Sequence, residues 1–391
     1  MDPSGLMTPP TSQHTSGVDY HATSERIRYE DLSPSVRAAA DKALGSPVVR
    51  AAPPVTSGFT NAYAGGVLLR DGREGFLKAT GPESPFPVLS LRREAQVLEA
   101  LGDQIPAVAM IGTDASSDGG QVLALDWVEG HLPGLPWTED EIALVRSACE
   151  RVAEVPGAAL ASLSPGQVAD DLLEDHGLRA AIKDGLTMPR SPDLLPPWLP
   201  ARIDEVVALA ADTEALRVGD HLIHCDLRPD NLLIGRGAGE TSDRAYVLDW
   251  NWVTLGPAWC DWVGVIPTMA AQGHDLAKLL DSTPLSRSAD PHAMDVWLAL
   301  LAVYLLVSCE DQPPPGATMA LRRQSSPKVF PARAIALVSS SSSSATRIDG
   351  SSSGSRVSAR KTAATETPCV GRWTMVIGSP ARTCPGVTTL R

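Results

Sequence analysis

The sequence predicts a bilobal α+β fold, a small β-rich N-terminal lobe followed by a larger, mainly helical C-terminal lobe. Three observations carry this. Short apolar runs set off by turn residues fill the stretch before Asp126, and helical patterning with proline interruptions dominates from Thr138 to about Leu216. Between them, Asp126-Trp127-Val128-Glu129-Gly130 breaks both patterns and forms a natural joint. The expected organisation is a disordered Ser/Thr/Pro-rich lead over 1–30, an N-lobe over 31–125, a C-lobe over 126–320 and a low-complexity tail over 321–391.

Taken in order, Val67–Arg70 and Gly75–Ala79 flank Asp71-Gly72-Arg73-Glu74 and read as a β-hairpin. Its second strand carries Lys78 between apolar neighbours, where an ammonium needs a partner. A helix follows over about 88–101, with Leu91, Ala95, Leu98 and Leu101 on its inward face. Glu94 shares that face, whereas Arg92 and Arg93 point away. A strand lysine and an inward glutamate would satisfy each other; the alternative is a snorkelling lysine beside a half-exposed glutamate.

Two more strands are expected at 107–112 and 121–127. Thr138-Glu139-Asp140-Glu141 is a capping box, with Trp137 and Ile142 placed as a hydrophobic staple. Strand-like runs return at 221–224, 232–234 and 245–248, and helices follow near 259–270 and 291–309. The longest apolar run, Val296 to Val307, lies between Asp295 and Glu310 and reads as a buried helix, short of the ~18–20 residues of a membrane span.

Charge divides the chain. Its 391 residues hold 46 acids and 33 bases, net -13, and its mean hydropathy is -0.03. Residues 1–311 carry a net -22 and residues 312–391 a net +9. An acidic body repels nucleic acid and attracts cationic small molecules. The basic tail lacks the aromatic interleaving of a nucleic-acid binder. It contains Gly350-Ser351-Ser352-Ser353-Gly354, but a nucleophile elbow needs a strand before and a helix after, and neither is present. Six cysteines without a C-x-x-C spacing indicate neither a zinc site nor a disulfide framework. No basic-then-apolar leader precedes the body, so the expectation is a cytoplasmic protein without a membrane or nucleic-acid partner.

The strongest chemical signal is His224-Cys225-Asp226-Leu227-Arg228-Pro229-Asp230-Asn231, followed by Val247-Leu248-Asp249-Trp250. The H-x-D-x4-N spacing matches the catalytic loop of kinases. That triplet alone arises by chance in roughly one chain in fifty. An upstream strand lysine, a helix glutamate and a later strand-end aspartate, all in the kinase order, add to it.

With these residues the chain resembles the aminoglycoside phosphotransferase family, small-molecule kinases with a protein-kinase-like fold. The resemblance spans about 55–315. It takes in Ser57-Gly58-Phe59-Thr60-Asn61 as a nucleotide-covering loop, Phe76-Leu77-Lys78-Ala79, Arg93-Glu94-Ala95, the joint, Leu248-Asp249-Trp250 and Gly256-Pro257-Ala258-Trp259-Cys260-Asp261. It implies that Asp226 accepts the proton of a substrate hydroxyl, and that Asn231 and Asp249 hold Mg²⁺. It further implies that Lys78, fixed by Glu94, meets the phosphates of ATP, and that the backbone near Asp126 and Val128 pairs with the adenine edge.

The implied activity is transfer of the γ-phosphate of ATP to a hydroxyl of a small molecule, an aminoglycoside foremost. An amino alcohol, a sugar or another antibiotic is the alternative acceptor, and a catalytically impaired nucleotide-binding protein the alternative class. Taken singly, Asp249 also reads as a turn cap and Asn231 as a loop residue bonding its own backbone. His224 is expected to hold the loop, Asp261 to cap a helix or anchor the loop, and Arg228 to offset phosphate charge or pair with an acid. Two departures stand out: Cys225 occupies a position where the family mostly has glycine, and beyond about Ser325 the closing helix gives way to sequence that reads as out-of-frame or non-native coding.

Overall fold

The computed structural model describes residues 23–58, 60–174, 178–186 and 195–308. The expected tail over 321–391, the proline cluster before it and the first 22 residues of the expected lead lie outside the described residues.

The N-lobe begins with α1 (Pro34–Leu44), which the sequence reading does not anticipate. Ser33 accepts a hydrogen bond from Val36 N–H at 3.3 Å, Pro34 opens the first turn, and Gly45 closes the helix at φ 70°. A five-stranded antiparallel sheet follows from β1 (Val48–Ala51), β2 (Tyr63–Leu69), β3 (Glu74–Thr80), β4 (Met110–Ala115) and β5 (Gln121–Asp126), in the order β1-β2-β3-β5-β4. The hairpin is β2–β3. The strand expected at 107–112 starts later, because Ala107 forms a bridge to Val247 of the other lobe instead. Alternation sorts β3 into two faces: Leu77 and Ala79 pack with α1 in the upper core, while Phe76 packs against the main core below.

Helix α2 (Pro85–Leu101) crosses the lower face of the sheet. Leu91, Glu94, Ala95, Leu98 and Leu101 are all buried, as the 3.6-residue pattern requires. Arg93 departs from the expectation: it is half-buried and its Nη1 donates to the Leu163 carbonyl at 3.1 Å, tying α2 to the C-lobe.

Past the joint, β6 (Glu129–His131) leaves the upper sheet and joins a three-stranded one, ordered β6-β8-β9. Helix α3 (Glu139–Ala153) starts at the capping box, Glu141 N–H to Thr138 Oγ1 at 3.2 Å and Thr138 N–H to Glu141 Oε2 at 2.9 Å. The short helices α4 (Val168–Glu174), α5 (Leu178–Asp184) and α6 (Ile203–Ala210) precede β7 (His221–Ile223), β8 (Leu232–Arg236), β9 (Arg244–Val247) and β10 (Thr254–Gly256). Then come α7 (Cys260–Ala270), α8 (Leu276–Asp281), α9 (Pro284–Arg287) and α10 (Pro291–Ser308).

The first turn, Pro291–Asp295, extends α10 to 18 residues, long and apolar enough by composition to cross a membrane. Its Val296, Leu300 and Val303 are each 0% exposed, so here it is a core helix. The expected buried helix is therefore present, one turn longer than the apolar run.

Asp295 sits on that helix at 8% exposure, and burial, reinforced by Asp290 and opposed by His292, pushes its carboxyl up to about 7. A carboxyl raised above its unfolded value favours the folded state only while protonated. The stability it contributes is complete below the ordinary carboxylate range and is lost as pH rises through about 7. Asp295→Asn is therefore expected to raise stability at pH ~8 by on the order of 2–4 kcal/mol, and by almost nothing at pH ~4. Urea denaturation at the two pH values checks this; parallel shifts at both would remove Asp295 as the source.

Candidate active site

The lower half of the site is one loop held from below. His224, 0% exposed, directly follows β7; its Nε2 lies 2.8 Å from the Leu248 carbonyl and its ring meets Trp250 edge-on at 4.9 Å. Burial lowers its pKa, the Asp261 carboxylate opposing, so the ring stays neutral at physiological pH. Asp261, in the first turn of α7, accepts from His224 N–H at 2.8 Å and from Cys225 N–H at 3.1 Å. Of the two roles open to Asp261, the structure selects the loop anchor. Removing its carboxylate orphans two backbone donors. Asp261→Ala is expected to cost roughly 2–4 kcal/mol, and Asp261→Asn, which keeps one acceptor, about half of that. Thermal unfolding of both variants decides; equal losses would exclude the two-bond account.

Cys225 is left-handed at φ 69°, a conformation glycine adopts freely and an L-residue only at a cost of about 1–2 kcal/mol. The Asp261 bond to its N–H holds the strained backbone in place. Beyond it, Asp226 is drawn into the fold. Asn231 Nδ2 donates to the Asp226 carbonyl at 2.8 Å and to its Oδ2 at 2.9 Å, and Arg228 Nε approaches Oδ1 at 3.4 Å. Arg228 also pairs with the buried Asp230 at 3.1 Å, so it is paired with acids. Burial raises the Asp226 carboxyl above its ordinary range, with Arg228 pulling the other way.

Asn231 and Asp249 come together through the β8–β9 ladder. Leu232 pairs with Val247, and Leu248 N–H donates to the Asn231 carbonyl at 2.9 Å. The chain then turns left-handed at Asp249, φ 61°, a conformation Asp tolerates better than most. The Asn251 amide braces this turn: with its nitrogen toward the Asp249 carbonyl (2.9 Å), its oxygen accepts from Ser90 Oγ of α2 at 2.8 Å and Trp252 Nε1 at 3.2 Å.

From above, Lys78 closes the set. Its Nζ donates to both Glu94 carboxylate oxygens at 2.9 Å and pairs with Asp249 Oδ1. The snorkelling alternative for Lys78 is thus excluded. Burial alone would lower the Lys78 ammonium, but Asp249 and Glu94 more than offset it and hold it above its ordinary value. Asp249 is the converse: burial would raise it, and Lys78 draws it below the usual range. Glu94, 3% exposed, is raised by burial against the pull of Lys78.

The structure therefore joins five of the seven singled-out residues, Lys78, Glu94, Asp226, Asn231 and Asp249, into one cleft between the lobes. Asp126 and Val128 stand at the joint, and no hydrogen bond among the described residues links them to the charged cluster. Asp126 N–H is spent on the Ala109 carbonyl at 2.9 Å. Arg26, in the expected lead, escaped the sequence reading: nothing in Glu25-Arg26-Ile27-Arg28 marks one arginine over the other, and its partners lie more than thirty residues away.

Two lobes bridged by one joint, with the charged cleft between them, make this a bilobal kinase fold. The family model for the phosphotransferase enzyme family (APH) matches residues 64–297, and the chain belongs to that family. It is a small-molecule phosphotransferase. Among solved structures, the GDP complex of wild-type aminoglycoside 2'-phosphotransferase-IIIa is 17% identical and superposes at a TM-score of 0.50, covering 72% of this chain and 93% of that one. The GDP and kanamycin complex of APH(2")-IIia is 14% identical at a TM-score of 0.51, with coverages of 79% and 98%. At these identities the likeness is one of fold. No curated protein matches the chain.

Proposed function

We propose that this enzyme transfers the γ-phosphoryl group of Mg²⁺-bound ATP to a hydroxyl of a small molecule, with an aminoglycoside as the acceptor. The observation that carries the reading is Asp226, held by Asn231 and faced by Arg228 in the cleft that also contains Lys78 and Asp249. An acceptor hydroxyl gives its proton to Asp226 as its oxygen bonds to the γ-phosphorus; the bond from phosphorus to the β-γ bridging oxygen breaks, and ADP leaves. Burial suits Asp226 to this, since a carboxylate raised above its ordinary range is the better base. Lys78 meets the phosphate oxygens while Glu94 keeps the ammonium in place from behind.

Asn231 and Asp249 fit Mg²⁺. Asn231 spends its Nδ2 on Asp226, which leaves its amide oxygen as a neutral hard donor, and Asp249 supplies an anionic one. Two protein oxygens with phosphates and water completing the shell is the usual arrangement for this ion. When bound, Mg²⁺ supplies charge neutralisation at the phosphates. The backbone near Asp126 and Val128 is the proposed partner of the base, the Asp126 N–H itself being spent on the Ala109 carbonyl.

The acceptor class rests on two supports: the net -22 of residues 1–311, which draws a polycation, and the kanamycin that the similarly folded APH(2")-IIia binds. The test is a coupled assay of nucleoside-diphosphate release with Mg-ATP or Mg-GTP against aminoglycosides, amino alcohols and sugars. Stimulation by aminoglycosides is expected. Stimulation by another class alone would overturn the acceptor, and none with any class would overturn the activity.

A further inference from the structure

Residues 23–27 were expected to belong to an unordered lead, yet they are stitched to the 56–62 loop between β1 and β2. Both segments lie before residue 64, where the family match begins. Thr23 and Ser24 N–H both donate to the Thr56 carbonyl at 2.9 Å, Ser24 Oγ donates to the Ser57 carbonyl at 3.2 Å, and Ile27 N–H reaches the Asn61 carbonyl at 3.1 Å. Thr23 and Ser24 are 0% and 4% exposed. Arg26 makes the centre of the attachment. Its Nη2 and Nε donate to the Ser57 carbonyl at 2.8 and 3.3 Å, and its Nη1 donates to Thr60 Oγ1 at 3.0 Å and the Ala62 carbonyl at 3.1 Å.

One planar cation thus grips both ends of the loop. Gly58 between them has φ 94°, and a β-carbon there would fall 2.5 Å from Arg26 Nη2, so the guanidinium lies against bare backbone. Only a side chain with several donors in a fixed fork can serve these three acceptors together; a lysine ammonium is one point charge.

We propose that residues 23–27 are a strap that sets the nucleotide-covering loop, with Arg26 as its positioning residue. The proposal rests on the nucleotide reading of the cleft given above. A loop pinned before binding loses less conformational entropy when phosphates arrive, so the strap acts on nucleotide affinity. Arg26 does so through the loop.

The test compares Arg26→Ala, Arg26→Lys and Arg28→Ala in the full chain. Arg28 is the control, an exposed side chain paired at 3.5 Å with Glu30. Amide hydrogen exchange of 56–62 and the separate KM values for nucleotide and acceptor are the readouts. Arg26→Ala is expected to speed exchange in the loop and to raise nucleotide KM about tenfold with acceptor KM unmoved. Arg26→Lys should recover part of both, and Arg28→Ala should match the unaltered chain. Unchanged nucleotide KM overturns the proposal, as does a matching rise in both KM values together with a lower melting temperature. If the unaltered chain turns over no nucleotide, the proposed function fails on that ground, and loop exchange alone decides: faster only in the Arg26 variants upholds the strap, and unaltered exchange overturns it.

Discussion

Asp226→Asn is expected to cut acceptor-stimulated turnover by about 10²–10⁴-fold, the range a positioned general base contributes. The fold and nucleotide affinity should survive. The amide keeps one acceptor oxygen for Asn231 Nδ2, now at 2.9 Å from Oδ2, and the buried loop is anchored elsewhere, by Asp261 and the His224–Leu248 contact. What disappears is the proposed acceptor of the hydroxyl proton. Single-turnover kinetics with saturating acceptor, beside a nucleotide titration followed by tryptophan fluorescence, separates the two effects. A variant that keeps full turnover would remove Asp226 from the proton-accepting role. One that also loses nucleotide binding would point to damage of the loop.

Asp249→Ala should have the second largest effect, through another quantity. Asp249 is the anionic oxygen of the proposed Mg²⁺ pair and one of two carboxylates on Lys78. Without it Lys78 still has Glu94 at 2.9 Å, so the ammonium remains buried and paired. Stability should therefore change less than turnover. The expected result is a fall in kcat of roughly 10²–10³-fold and loss of the Mg²⁺ dependence of nucleotide binding. Calorimetric titration of nucleotide with and without Mg²⁺ measures it. Persistent Mg²⁺-dependent affinity in Asp249→Ala would place the ion elsewhere.

Much of this architecture is local and hence legible in the chain. The β2–β3 hairpin follows from a turn tetrapeptide between apolar runs, and α3 from a four-residue capping box whose two hydrogen bonds both form. Glu94 faces inward because it shares a helical stripe with Leu91 and Leu98. Helix α1 was equally local, since Ser33-Pro34 starts it and Gly45 stops it, but its alanine-rich face gives a weak apolar pattern. Arg93 shows where periodicity fails. Its place on α2 says that it leaves the main stripe, but not that the other lobe offers the Leu163 carbonyl seventy positions away.

Order and spacing by themselves determined the fold class, the inward place of Glu94 and the loop around Asp226, because helix periods, strand alternation and caps act over a few residues. The tertiary structure decided which charges neutralise one another. Lys78 and Asp249 are 171 positions apart, Asp261 lies 36 and 37 positions from the backbone it anchors, and Arg26 lies more than thirty from the loop it grips. A buried charge or an orphan backbone donor is satisfied by whatever acceptor the folded chain brings within about 3 Å, and that partner is set by topology.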